Sequence, residues 1–139
     1  MKILMAIDGS ANALRALRFV LRHHLADSQT AITLVQVDAP LNGHIARYLD
    51  GPAIDRYHQN NSAVALRGAR RVLRELSWPH DERLSVGDPA EVIATTARLG
   101  RFDMIAMGSH GRGTLGVAIL GSVVQKVLAR SKVPVLVVR

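Results

Sequence analysis

Four short runs in this chain are apolar on both parities: Ile3–Ile7, Ile32–Val37, Met104–Met107 and Val133–Val138. A strand with one wet face would alternate, so runs of this kind predict strands covered on both sides. A fifth run, Arg83–Val86, is shorter and more polar, as an edge strand would be. Helical patterns separate the strands. In the first, Leu14, Leu17 and Leu21 share one face and Arg15, Arg18 and Arg22 another, with Ser10 at the N-cap position. The second, from about Asp55 to Leu76, aligns Leu66, Ala69, Leu73 and Leu76, with Arg67, Arg70, Arg71 and Arg74 opposite. A third follows Gly87-Asp88-Pro89 and runs to Leu99, and a fourth occupies Ser122 to Arg130.

The order is β-α-β-α-β-α-β-α-β. Strict alternation predicts an α/β fold: a single-domain open parallel sheet with helices on both faces. The chain of 139 residues contains no repeat and no domain boundary, so residues 1–139 read as one domain. The longest stretch without a pattern is Asp38–Ile54, which contains Pro40, Gly43, Gly51 and Pro52 and reads as a long binding or lid loop.

Composition narrows the picture in three ways. Cysteine is absent, which excludes disulfides and thiolate metal sites and suits a cytoplasmic protein. The longest uncharged run, Gly113–Gln125, is too short to cross a bilayer, and Ile3–Ile7 is too short for a signal-peptide core, so no membrane role is expected. The formal net charge is +7, and no acid follows Asp103. That balance favours an anionic partner. The arginine row of the second helix reads as a solvated face. With one Trp, two Tyr and two Phe there is little to stack on bases, so nucleic acid is not the expected partner.

Ligands of such sheets bind beyond the carboxyl ends of the strands, where strand order reverses. Two segments suit that place: Asp8-Gly9-Ser10 after the first strand, and Gly108-Ser109-His110-Gly111-Arg112-Gly113 after the fourth. Glycines there let backbone N–H groups approach an anion, and Gly121-Ser122 opens a helix whose N-terminus attracts phosphate. A Walker loop is absent. The string Gly111-Arg112-Gly113-Thr114-Leu115-Gly116 matches a dinucleotide fingerprint. It lacks the carboxylate that should follow about 20 residues later, and it stands after the wrong strand.

The spacing Gly108, two residues, Gly111, nine residues, Gly121-Ser122 resembles the signature of ATP-binding universal stress proteins. The opening strand with Asp8-Gly9-Ser10, the Val86-Gly87-Asp88-Pro89 turn and the closing Val133–Val138 extend the resemblance over the whole chain. The resemblance implies a five-stranded parallel sheet of the adenine nucleotide alpha hydrolase-like, Rossmann-like kind, with ATP between the first and fourth strands. Asp8 would lie near the nucleotide and Val37 against adenine. Gly108, Gly111, Arg112, Gly113, Gly121, Ser122 and Val123 would surround ribose and phosphates, accompanied by magnesium or manganese. It implies a nucleotide-dependent regulatory protein with at most slow hydrolysis, or a partner-binding module, and a homodimer through Val133–Val138.

Each residue has a structural alternative. Ser122 with Gln125 also reads as a capping box, Asp8 as the cap of a turn and Val37 as plain core. His23 and His24 suit the end of their helix, and His110 suits a solvated loop.

Overall fold

The computed structural model describes residues 1–24, 29–110 and 120–139. Five parallel strands, β1 (Lys2–Ala6), β2 (Ala31–Asp38), β3 (His80–Val86), β4 (Met104–Gly108) and β5 (Val135–Val138), form one sheet in the order β3-β2-β1-β4-β5. All five expected strands are present, and the polar one is an edge. α1 (Ala11–His24) and α3 (Gly51–Glu75) cover one face of the sheet. α4 (Pro89–Leu99) and α5 (Ser122–Arg130) cover the other. Two cores result. Ile3, Met5, Leu17, Leu34, Leu66 and Leu73 anchor the first, and Leu4, Val35, Ile93, Ile105 and Val127 the second. Ile3 and Met5 face one core while Leu4 faces the other, which is why β1 is apolar on both parities.

The segment expected to be irregular is more ordered than its prolines and glycines suggest. α2 (Gly43–Ala46) is capped by the Asn42 side chain, which accepts from the His44 N–H. α3 begins at Gly51 because Asp50 accepts the Ala53 N–H at 2.7 Å and Pro52 sits in the first turn, where a missing N–H costs nothing. Leu76, expected on the buried stripe, is the C-cap of α3 and is exposed. Arg70 does not join the solvated row: its guanidinium makes two hydrogen bonds to Glu82 on β3, at 2.8 and 2.6 Å.

Candidate functional site

Strand order reverses between β1 and β4, so the crevice at their carboxyl ends is where a ligand of this sheet would sit. On the β1 side the chain turns sharply. Gly9 has a φ of 82°, which favours glycine. Asp8 is exposed, and its Oδ1 accepts the Ser10 N–H at 2.9 Å. Ser10 then caps α1, its Oγ accepting the Ala13 N–H at 3.1 Å. The turn-capping role expected for Asp8 is therefore present.

On the β4 side, Gly108 lies against the first turn of α1. An added Cβ there would stand 2.6 Å from the Asn12 carbonyl carbon and 2.8 Å from the Ala13 nitrogen. Ser109 is buried, and its N–H donates to the Val138 carbonyl at 2.8 Å. Its carbonyl accepts the Gly121 N–H at 2.9 Å, and its Oγ pairs with His110 Nδ1 at 2.9 Å. The Asn12 amide donates to the His110 carbonyl at 3.3 Å. One network thus joins the end of β4, the start of α1 and the start of α5.

Gly121, not Ser122, is the N-cap of α5, and among the described residues no side chain caps that end. The capping-box reading of Ser122 is corrected: Ser122 is the first helical residue and is exposed. Gln125 reaches back to the Leu120 carbonyl instead, at 2.6 Å. The start of α5 is set by the distant Ser109–Gly121 bond, which no local pattern reveals. An uncapped first turn leaves N–H groups and the positive end of the helix dipole for an anion. Val37 and Val123 are half-buried against the same core cluster. Asp8, Val37, Gly108, Gly121, Ser122 and Val123 all fall at the carboxyl edge or on the helix that follows it. Gly111, Arg112 and Gly113 lie outside the described residues.

Sequence reasoning missed a polar cluster where β2 ends. Asp38 Oδ2 pairs with His58 Nδ1 at 2.7 Å and accepts from the Asn61 amide at 2.8 Å. Just below, the Ser62 hydroxyl donates to Gln36 in the buried interior at 2.6 Å. Burial pushes the Asp38 carboxyl up, but the His58 and Asn61 hydrogen bonds, with the nearby His58 charge and the Ala39 backbone, hold it below its ordinary value. The available signal was that His58, Asn61 and Ser62 share the inward stripe of α3, where polar residues need partners. Across the sheet, Asp88 caps α4 and meets Arg130 of α5 at 3.0 Å. The Glu91 N–H, and then Arg130, hold its carboxyl below the usual range. Among the described residues, no group of three His, Asp or Glu is placed to hold a metal ion, and no helix is long and apolar enough to cross a membrane.

The parallel sheet, its helices and the crevice at the reversal define an adenine nucleotide alpha hydrolase-like fold. The chain belongs to the universal stress protein family, whose model matches residues 1–139. It is similar to the stress response protein NhaX of Bacillus subtilis, at 30% identity over 99% of this chain and 97% of that protein. The structure of MJ0577, a universal stress protein of Methanocaldococcus jannaschii, superposes with a TM-score of 0.79 at 28% identity, covering 99% of this chain and 94% of that one. A universal stress protein in complex with cAMP shares the fold, with a TM-score of 0.72 at 23% identity over 100% of this chain and 97% of that one.

Proposed function

We propose that this chain binds ATP in the crevice between β1 and β4 and acts as a nucleotide-dependent regulatory protein of the cytoplasm. The observation that carries the reading is the bare N-terminus of α5, tied by the Ser109–Gly121 bond to a crevice whose other wall is the Asp8-Gly9-Ser10 turn. A helix start without its own cap is suited to phosphate. Gly108, Gly121, Ser122 and Val123, with Gly111, Arg112 and Gly113 of the intervening segment, would hold ribose and phosphates. Val37 would lie beside adenine. Asp8 is the acid available to a magnesium or manganese ion arriving with the nucleotide. The complex of a family member with cAMP supports an adenine nucleotide as the ligand class.

Fast turnover is not part of this reading. Asp8 has one oxygen, Oδ1, engaged by the Ser10 N–H of its own turn, and no part in turnover is assigned to it. The same reading includes a homodimer formed through β5, a sheet edge that is only half-buried in the single chain. The test is a calorimetric titration with ATP–Mg on the parent chain and on Gly121→Val. Gly121 has φ −60° and ψ 152°, which valine adopts without backbone strain, and a thermal melt checks that the variant folds. Its branched side chain should abolish binding. Equal affinity in parent and variant would remove the glycine loop as the site.

A further inference from the structure

We propose that the paired outer faces of α1 and α3 form a docking surface for the phosphate backbone of a nucleic-acid duplex, bound without sequence preference. This does not depend on the nucleotide reading. The two helices lie on the same face of the sheet and run in the same direction, because each links neighbouring parallel strands. They pack closely at Leu14 and Gly68, where a Cβ on Gly68 would meet the Leu14 side chain at 2.8 Å. That register sets Arg18 and Arg22 of α1 beside the last two turns of α3. At 100° per residue, Arg15, Arg18 and Arg22 fall on the outward side of α1, and Arg67, Arg71 and Arg74 on that of α3. All six are exposed.

Among the described residues, most of these charges have no counterion. Glu75 is the acid between the rows, and it stands 4.0 Å from Arg71 with both side chains about two-thirds exposed. Among the described residues, no ion pair reaches Arg15, Arg18, Arg22, Arg67 or Arg74. The contrast is local: Arg70, one position away, turns inward to Glu82, and Arg130 on the opposite helix layer is paired with Asp88. Six like charges on two adjacent helices repel one another, and a polyanion relieves that repulsion.

The chemistry selects among polyanions. Every cation in the patch is arginine, whose planar fork binds phosphate with two hydrogen bonds. A membrane surface would require an apolar face to insert. Here the apolar sides of α1 and α3 are consumed by the core, leaving Phe19 of α1 and Tyr57 and Val64 of α3 as scattered exposures. The rows are separated by a helix packing distance of about 8–10 Å, and each runs about 10 Å along its helix. That footprint compares with a duplex major groove about 12 Å wide, flanked by phosphates. Phe19 and Tyr57 are too few to form a base-stacking platform, so affinity comes from the phosphate backbone. The sequence argument against nucleic acid considered the α3 row by itself; the structure sets a second row beside it.

The test is fluorescence anisotropy with a labelled 20-base-pair duplex of mixed sequence, titrated from low to physiological salt. Five or six phosphate contacts give a slope of log affinity on log salt of about −5. Arg15→Gln/Arg18→Gln/Arg22→Gln should weaken binding about tenfold or more and flatten the slope by about 3, one for each lost contact. Arg98→Gln/Lys132→Gln/Arg139→Gln removes the same charge from elsewhere and should leave the slope near that of the parent. Thermal melts verify that both variants fold. The proposal fails if the parent does not bind the duplex at low salt. It also fails if both triple variants lose equally, or if anionic vesicles bind and the duplex does not.

Discussion

The backbone of Gly108 touches that of Asn12: a Cβ added to Gly108 would lie 2.6 Å from the Asn12 carbonyl carbon and 2.7 Å from its oxygen. The obstacle is main chain in the first turn of a helix, so it cannot rotate aside. Gly108→Ala must therefore push α1 away from β4. Overpacking of this kind costs about 1–3 kcal/mol. The expected result is a lower melting temperature with a cooperative transition, together with weaker ATP binding as the Asp8 turn shifts. A variant as stable as the parent would show that the two elements are not in contact in solution.

Ser122 separates cleanly from helix capping, because Gly121 occupies the cap position. Ser122→Ala should change stability by no more than about 0.5 kcal/mol, as an exposed substitution that breaks no structural bond. If the hydroxyl contacts phosphate, losing a hydrogen bond to a charged group costs about 1.5–3 kcal/mol, roughly ten- to a hundredfold in dissociation constant. A melt and a calorimetric titration on one variant read both quantities. A large stability loss with unchanged affinity would reverse the assignment.

The sheet was legible because burial on two faces leaves an apolar run in strands such as β1, while the edge strand β3 is polar. Helix starts were legible where the cap is local, as at Ser10 and Asp88. They were misread where the decisive bond is distant, as at Gly121, whose N–H is held by Ser109. Gly51 and Pro52 looked like loop residues, yet Pro in a first turn after an Asp cap is a helix start. The Asp38–His58–Asn61 cluster and the Arg70–Glu82 pair join residues 12 to 23 positions apart. Periodicity describes faces, and it cannot name the partner across them.

The Asp38 cluster ties stability to pH. The folded-state pKa of Asp38 is lowered, so its contribution is fully present above the ordinary carboxylate value of about 4. It is lost as pH falls through the lower folded-state value. Glu82 acts in the same sense: the Arg70 hydrogen bonds outweigh burial and lower its pKa. Asp38→Asn should cost about 1.5–3 kcal/mol at neutral pH, the range for hydrogen bonds to a charged group. The gap to the parent should narrow below pH 4 as the parent's own carboxyl protonates. Melting curves from neutral pH into the acid range would show this, and a gap independent of pH would assign the effect to packing instead.

The free side of β5 supplies the test of assembly. Ile105 donates to the Pro134 carbonyl and Ser109 to the Val138 carbonyl. In a parallel ladder the backbone groups of alternate residues point the same way. Pro134, Leu136 and Val138 therefore face β4, and Val135 and Val137 direct their N–H and C=O groups to the open edge. Val137→Pro removes one outward donor while leaving the bonds to β4 intact, and proline is tolerated on an edge strand. If β5 pairs with a second copy about a two-fold axis, the variant should remain folded and shift toward the monomer in light scattering at micromolar concentration. The same measurement on the parent should give the mass of two chains. A monomeric parent would overturn the dimer, and a dimeric variant would move the interface away from β5.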